Sequence, residues 1–204
     1  MTIGVIDLGT GNISSVANSL DYWEISYKAV TSSRDLEGCS AIIFPGVGAF
    51  GDSRRRLLET GLDESMVKMA ERGIAILGIC LGMQLLGDLS DEHGQFQGLG
   101  LIPGVVKKIS WDGARVPHMG WNAVTYSDDL PLFDGIPQGS DFYFTHSFYF
   151  DADEKFVAGR TEYGVNFTSV VCRDSVVGVQ FHPEKSQRNG LQLIRNFCEF
   201  ADRC

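Results

Sequence analysis

Apolar residues follow two regimes along the chain. Up to about Gly98, short apolar runs alternate with stretches of helical period. Ile3 to Asp7 reads as a strand, and Ile13 to Tyr22 carries apolar residues at Ile13, Val16, Ala17 and Leu20, one face of a helix. Tyr27 to Val30 and Ala41 to Phe44 are predicted strands, Arg55 to Arg72 one or two helices, and Ile74 to Ile79 a further buried strand. Strands alternating with helices predict an α/β fold with a doubly wound, mainly parallel sheet, whose ligands sit at the carboxyl ends of the strands.

Beyond Gly98 the pattern changes. Val105 to Ile109, Asn122 to Tyr126, Phe142 to Phe150, Phe156 to Thr161 and Thr168 to Val171 are predicted strands without long helices between them, which implies a smaller antiparallel sheet. Arg173-Asp174-Ser175 can turn a hairpin into Val176 to Phe181. Gly190 to Arg203 then closes the pattern as a helix with Leu191, Leu193, Ile194, Phe197 and Phe200 on its apolar face. There is no internal repeat or low-complexity stretch, and 204 residues fit a single domain, 1–204.

Charge narrows the function classes. The 26 acidic against 17 basic residues give a formal net charge of −9 with no long basic tract, which argues against a nucleic-acid ligand. No apolar run approaches the roughly 20 residues that span a bilayer, so no membrane is expected. The N-terminus runs straight into a strand pattern without a leader signature, and five cysteines without CxxC spacing fit neither a disulfide framework nor a zinc site. A cytoplasmic protein without metal or cofactor is the expectation. Arg54-Arg55-Arg56 reads as a solvated helix face, with partner contact as the alternative.

The candidate chemistry centres on Gly78-Ile79-Cys80-Leu81-Gly82, at the end of the Ile74 strand with a helix directly behind it. This is the pattern of a nucleophile elbow, where glycines two places either side allow close passage and the central residue stands alone above the sheet edge. A thiol there lies over a helix N-terminus, which favours the attacking thiolate. Most free cysteines only pack, and Cys39, Cys172, Cys198 and Cys204, which lack such a setting, are read as packing or surface thiols.

His182-Pro183-Glu184 follows another apolar strand and supplies a base with a carboxylate to orient it. Pro45-Gly46-Val47-Gly48 follows the Ala41 strand at the same predicted sheet edge. Gly46, Val47 and Gly48, with the Leu81 N–H, are the expected oxyanion donors. Gly9-Thr10-Gly11-Asn12-Ile13-Ser14 departs from a dinucleotide fingerprint by placing Ser where the third glycine should be. His93, His118 and His146 lack metal-ligand spacing and are read as structural or surface residues.

With these motifs in hand, the chain resembles the class I (triad) glutamine amidotransferases, which hydrolyse L-glutamine and pass on ammonia. The resemblance implies a Cys80–His182–Glu184 triad working through a glutamyl thioester. It places Gln84 and Glu92 where the family holds glutamine and Ser147 where backbone contributes to the pocket. Pro117-His118-Met119-Gly120-Trp121-Asn122, Tyr143-Phe144-Thr145-His146-Ser147 and His182 to Ser186 resemble one branch of that family. Its glutaminase forms a heterodimer with a separate (β/α)₈-barrel cyclase subunit of histidine biosynthesis. In that branch Asn12, Trp121 and Lys185 match the partner interface. Paralogues that supply ammonia for amidation of bacterial surface sugars, and a non-catalytic assembly subunit, are the alternatives.

Overall fold

The computed structural model describes residues 1–9 and 12–204. Its first half alternates β1 (Ile3–Ile6), α1 (Ile13–Tyr22), β2 (Tyr27–Val30), β3 (Ala41–Gly46), α2 (Phe50–Thr60), α3 (Leu62–Glu71), β4 (Ala75–Cys80) and α4 (Leu81–Leu85). Short strands follow: β5 (Leu89–Ser90), β6 (Phe96–Gln97), β7 (Gly104–Lys108), β8 (His118–Ala123), β9 (Thr125–Tyr126), β10 (Asp141–His146), β11 (Phe148–Ala152), β12 (Val157–Glu162), β13 (Asn166–Arg173) and β14 (Val176–Val179). The last helix is α5 (Gln187–Ala201).

Eight strands form one sheet in the order β2-β1-β3-β4-β14-β13-β12-β9. The first five run parallel and the last three antiparallel. Strands β1, β3 and β4 are buried along their whole length because both faces are covered, which is why their sequences are nearly continuous apolar runs. Side chains alternate between the two covers. Ala75, Leu77 and Ile79 of β4 join Val16, Leu20, Leu193 and Phe197 from α1 and α5 on one face. Ile76 joins Leu57, Leu62, Met66 and Met69 from α2 and α3 on the other.

Several boundaries differ from the sequence expectation. The helical stretch expected from Arg55 starts at Phe50 and is cut in two at Gly61, whose φ of 66° ends α2 in a left-handed turn. The run expected as one strand from Phe142 to Phe150 is two strands broken at Ser147, and the Asn122–Tyr126 strand is likewise divided between β8 and β9. Strands β12 and β13 extend the main sheet instead of forming a separate one. The smaller sheets are the antiparallel pair β8–β10 and the four-stranded β11-β7-β5-β6.

The arginine run is only partly solvated. Arg55 is exposed, but Arg54 pairs with Asp63 at 3.0 Å and donates to the Gln97 carbonyl at 2.9 Å, while Arg56 donates to the Leu8 carbonyl. These bonds tie α2 to its neighbours. Thr10 and Gly11 of the Gly9–Ser14 segment lie outside the described residues.

Candidate active site

Three adjacent parallel strands deliver the site. In the register of β3 and β4, Gly46 stands opposite Cys80, and on the other side of β4 Ile79 stands opposite Val179 of β14. The chain leaving β3 therefore passes Cys80 on one flank as Pro45 to Gly48. The chain leaving β14 passes on the other as His182 to Lys185.

Cys80 has φ 55° and ψ −108°, strained values for a residue with a Cβ, at the junction of β4 and α4. The strain is imposed by the tightness of the reversal. A Cβ at Gly82 would stand 1.8 Å from the Phe44 carbonyl oxygen, and one at Gly78 would stand 2.8 Å from the Met83 nitrogen, so the elbow closes only around glycines. Cys80 is 6% exposed and contributes to a cavity of about 320 Å³. Val47, Gly48, Leu81, Gln84, Glu92, Ser147 and His146 are among the residues lining that cavity.

His182 begins a short turn of 3₁₀ helix, Pro183–Lys185, that is lashed down from several sides. Its backbone N–H donates to the Tyr143 carbonyl at 2.8 Å, and Ser186 Oγ both donates to the His182 carbonyl at 2.6 Å and accepts from Tyr143 N–H at 2.9 Å. The start of α5 packs so closely that a Cβ at Gly190 would stand 1.7 Å from the Pro183 carbonyl oxygen. Thus fixed, His182 Nδ1 lies 2.7 Å from Glu184 Oε1, with both side chains almost wholly buried. A carboxylate accepts from Nδ1–H and leaves Nε2 as the working nitrogen. Among the described residues Nε2 has no hydrogen-bond partner, and neither has Glu184 Oε2. Burial pulls the imidazole pKa down, but the neighbouring Cys80 sulfur and Glu184 carboxylate outweigh it and raise His182 to about 10.

The other expected residues fall around this core. Glu92 Oε2 accepts from Phe50 N–H at 2.7 Å at the cavity wall, and Ser147 lines the cavity where β10 and β11 separate. Asn12 caps α1, which packs against the 183–185 turn, and its Oδ1 accepts from Ser15 Oγ at 2.9 Å. Trp121 is half exposed on β8, its ring edge-on to Tyr143 at 6.1 Å, and Lys185 Nζ lies 5.9 Å over the same Tyr143 ring. Cys39 and Cys198 are buried, Cys172 is half-buried and Cys204 exposed, all four as free thiols.

Sequence reasoning missed Gln180. It is fully buried at the end of β14, and its Nε2 donates to Cys80 Sγ at 3.6 Å. A lone polar residue inside Val176 to Phe181, two places before the histidine, was the available signal.

A strained thiol at an elbow, a cavity that it lines and a buried histidine–carboxylate pair on the neighbouring strand end are the features of an amidotransferase-like site. The chain belongs to the class-I glutamine amidotransferase family, whose model, "Glutamine amidotransferase class-I", matches residues 4–200. Imidazole glycerol phosphate synthase subunit HisH of Moorella thermoacetica is 46% identical over 200 residues, covering 98% of this chain and 95% of that protein. The protein of the same name from Methanocaldococcus jannaschii is 43% identical over 197 residues, 97% of this chain and 98% of its own. Among solved structures, PurLQS from Thermotoga maritima superposes with a TM-score of 0.77 at 20% identity, covering 98% of each chain, which establishes the shared fold.

Proposed function

We propose that this chain is the glutaminase subunit of an imidazole glycerol phosphate synthase, with Cys80, His182 and Glu184 as its triad. The observation that carries the chemistry is the buried His182–Glu184 pair, with Nε2 unengaged, beside a strained Cys80 at the cavity. The full-length likeness to two proteins called imidazole glycerol phosphate synthase subunit HisH supports the pathway.

In this reading glutamine enters the cavity with its polar end toward Glu92, Gln84 and the Ser147 backbone, and its carboxamide over Cys80. The Cys80 thiolate adds to the carboxamide carbon, and the oxygen takes the negative charge. The N–H groups of Leu81 and of the Gly46-Val47-Gly48 strand stabilise that oxyanion, each worth about 2.7–4 kcal/mol in comparable sites. Cys80 and Glu184 raise the proton affinity of His182, which suits it to hold a proton and pass it to the leaving nitrogen as the C–N bond breaks. Ammonia departs and a glutamyl thioester remains. Water then attacks the thioester, neutral His182 takes its proton, the C–S bond breaks, and glutamate leaves behind the starting thiolate and imidazolium.

Ammonia passes to a (β/α)₈-barrel cyclase subunit, which makes imidazole glycerol phosphate and releases aminoimidazole carboxamide ribonucleotide. The face carrying Asn12, Trp121 and Lys185 is the docking surface in this reading. The test is glutamine hydrolysis by the purified chain, alone and with a cyclase barrel and its ribonucleotide ligand. Strong stimulation by the pair is expected. A chain that hydrolyses glutamine but does not bind the barrel overturns the pathway, and a complex that stays silent overturns the triad.

A further inference from the structure

The Phe148 carbonyl is the hinge of a polar chain that reaches Cys80. In the antiparallel pairing of β11 with β7, Ser147 O accepts from Ile109 N–H, so the next carbonyl points away from β7. It accepts two side-chain bonds instead, from Gln84 Nε2 at 2.9 Å and from His146 Nδ1 at 2.8 Å.

A carbonyl can only accept, and this fixes the polarity of every group beyond it. Gln84 must present its amide nitrogen to Phe148, and its second N–H goes to Gln180 Oε1 at 3.0 Å. Gln180 must then turn its own nitrogen to Cys80 Sγ, at 3.6 Å. On the other arm His146 Nδ1 carries the proton, so His146 Nε2 accepts from His118 Nδ1 at 3.0 Å. His118 Nε2 in turn faces Asn122 Nδ2 at 3.4 Å, and that amide is oriented by its bond to the Glu162 carbonyl at 2.9 Å. No flip of either glutamine satisfies the chain, because a reversed Gln180 would set its oxygen against the sulfur and its N–H₂ against the N–H₂ of Gln84.

We propose that Gln180 is a fourth catalytic residue: its side-chain N–H, aimed by Gln84 and the Phe148 carbonyl, holds the Cys80 sulfur in its attacking position and stabilises it as the thiolate. This rests on Cys80 being the nucleophile. Two consequences are specific to the geometry. The donor serves the charged sulfur of the resting and deacylated states better than the neutral sulfur of the thioester, so it assists departure of the thiolate in the second step. Gln84, with both N–H groups committed, has only its carbonyl oxygen left for substrate, so it accepts from glutamine and cannot donate to it.

The experiment compares Gln180→Met and Gln180→Glu with the unaltered chain, reading alkylation of Cys80 by iodoacetamide at fixed pH by peptide mass spectrometry and kcat and KM for glutamine in the complex. Gln180→Met removes both bonds, and Gln180→Glu keeps the acceptor for Gln84 while placing an oxygen against the sulfur. Both are expected to slow alkylation about tenfold and to lower kcat with little change in KM, Gln180→Glu the more so. Circular dichroism identifies any variant that fails to fold. In that case Gln180→Asn, whose amide is shorter, replaces it and must show the same loss of alkylation. Folded variants that alkylate and turn over like the unaltered chain overturn the proposal. An unaltered chain whose Cys80 is inert to both iodoacetamide and glutamine overturns the triad itself.

Discussion

A side-chain methyl on Gly82 would stand 1.8 Å from the carbonyl oxygen of Phe44, so β3 and the first turn of α4 are in backbone contact. That contact sets Val47 and Gly48 beside Cys80. Gly82→Ala is therefore expected to open the elbow or unfold it, at a cost of about 3 kcal/mol or more. Chemical denaturation of the variant measures the loss. Stability within 1 kcal/mol of the unaltered chain would mean that β3 and α4 can separate cheaply.

Cys80→Ser keeps the elbow geometry and replaces the thiol by a hydroxyl, a far weaker nucleophile. Under the proposed function, glutamine-dependent synthesis by the complex is expected to fall by roughly 10³-fold or more, while synthesis from added ammonium salts is retained, because the proposed barrel partner is untouched. Loss of both activities would contradict the division of labour between the subunits.

Glu184 accepts from His182 Nδ1–H at 2.7 Å and is as buried as its partner. Glu184→Gln retains the shape but lets the amide present a donor to Nδ1, favouring the tautomer with Nε2 protonated, which cannot act as base. A loss of about 10²–10⁴ in kcat with KM little changed is expected in steady-state assays of the complex. It would also remove one of the charges that raise the His182 pKa to about 10, so imidazole titration followed by NMR should move down in the variant.

The placement of Cys80 at an elbow and of His182 at a neighbouring strand end was legible in the sequence because the signals are local: glycines two places either side of the thiol, and His-Pro-Glu at the end of an apolar run. The parallel half was legible for the same reason, since strands buried on both faces are continuous apolar runs. The position of Gln180 beside Cys80 was not, because it comes from register. It is the pairing of Val179 with Ile79 that brings the residue following β14 alongside Cys80. The break at Ser147 was hidden in Phe142 to Phe150, where aromatic residues continue across it without a glycine or proline to mark the change of sheet. His118 and His146 lie on neighbouring strands in register with each other, a relationship that spacing along the chain does not reveal.

That histidine pair makes stability sensitive to acid. Burial lowers His118 to about 4; at His146 burial again dominates, and with the charges of His118 and His182 it outweighs the bond to the Phe148 carbonyl, leaving about 3. The unfolded chain takes up these protons near pH 6.5 and the folded chain does not, so the pair's contribution is full above about pH 6.5 and declines as pH falls toward 4 and 3. His118→Phe, which keeps the stacking against Phe144 and Tyr163, removes one of these protonation sites. Denaturation at pH 7 and pH 4.5 should show the gap between variant and unaltered chain narrowing at the lower pH. A gap that stays constant would mean His118 is already protonated in the fold.

Trp121 and Lys185 meet at Tyr143, whose carbonyl holds the backbone N–H of His182 at 2.8 Å. The exposed face is thus one residue removed from His182, and under the proposed function a partner docked on it bears on the strand that holds His182. Trp121 is 47% exposed and Met119 on the same strand 64%, so two large apolar side chains stand open to solvent on β8. Trp121→Ala is expected to weaken binding to the cyclase barrel by about 2 kcal/mol, roughly 30-fold, with little effect on the melting temperature of the free chain. Lys185→Ala should cost less in affinity, since its ammonium is exposed, and more in stimulation, since it shares the 183–185 turn with Glu184. Calorimetric titration measures the first effect and glutamine turnover in the saturated complex the second. Unchanged affinity in Trp121→Ala would move the interface off this face.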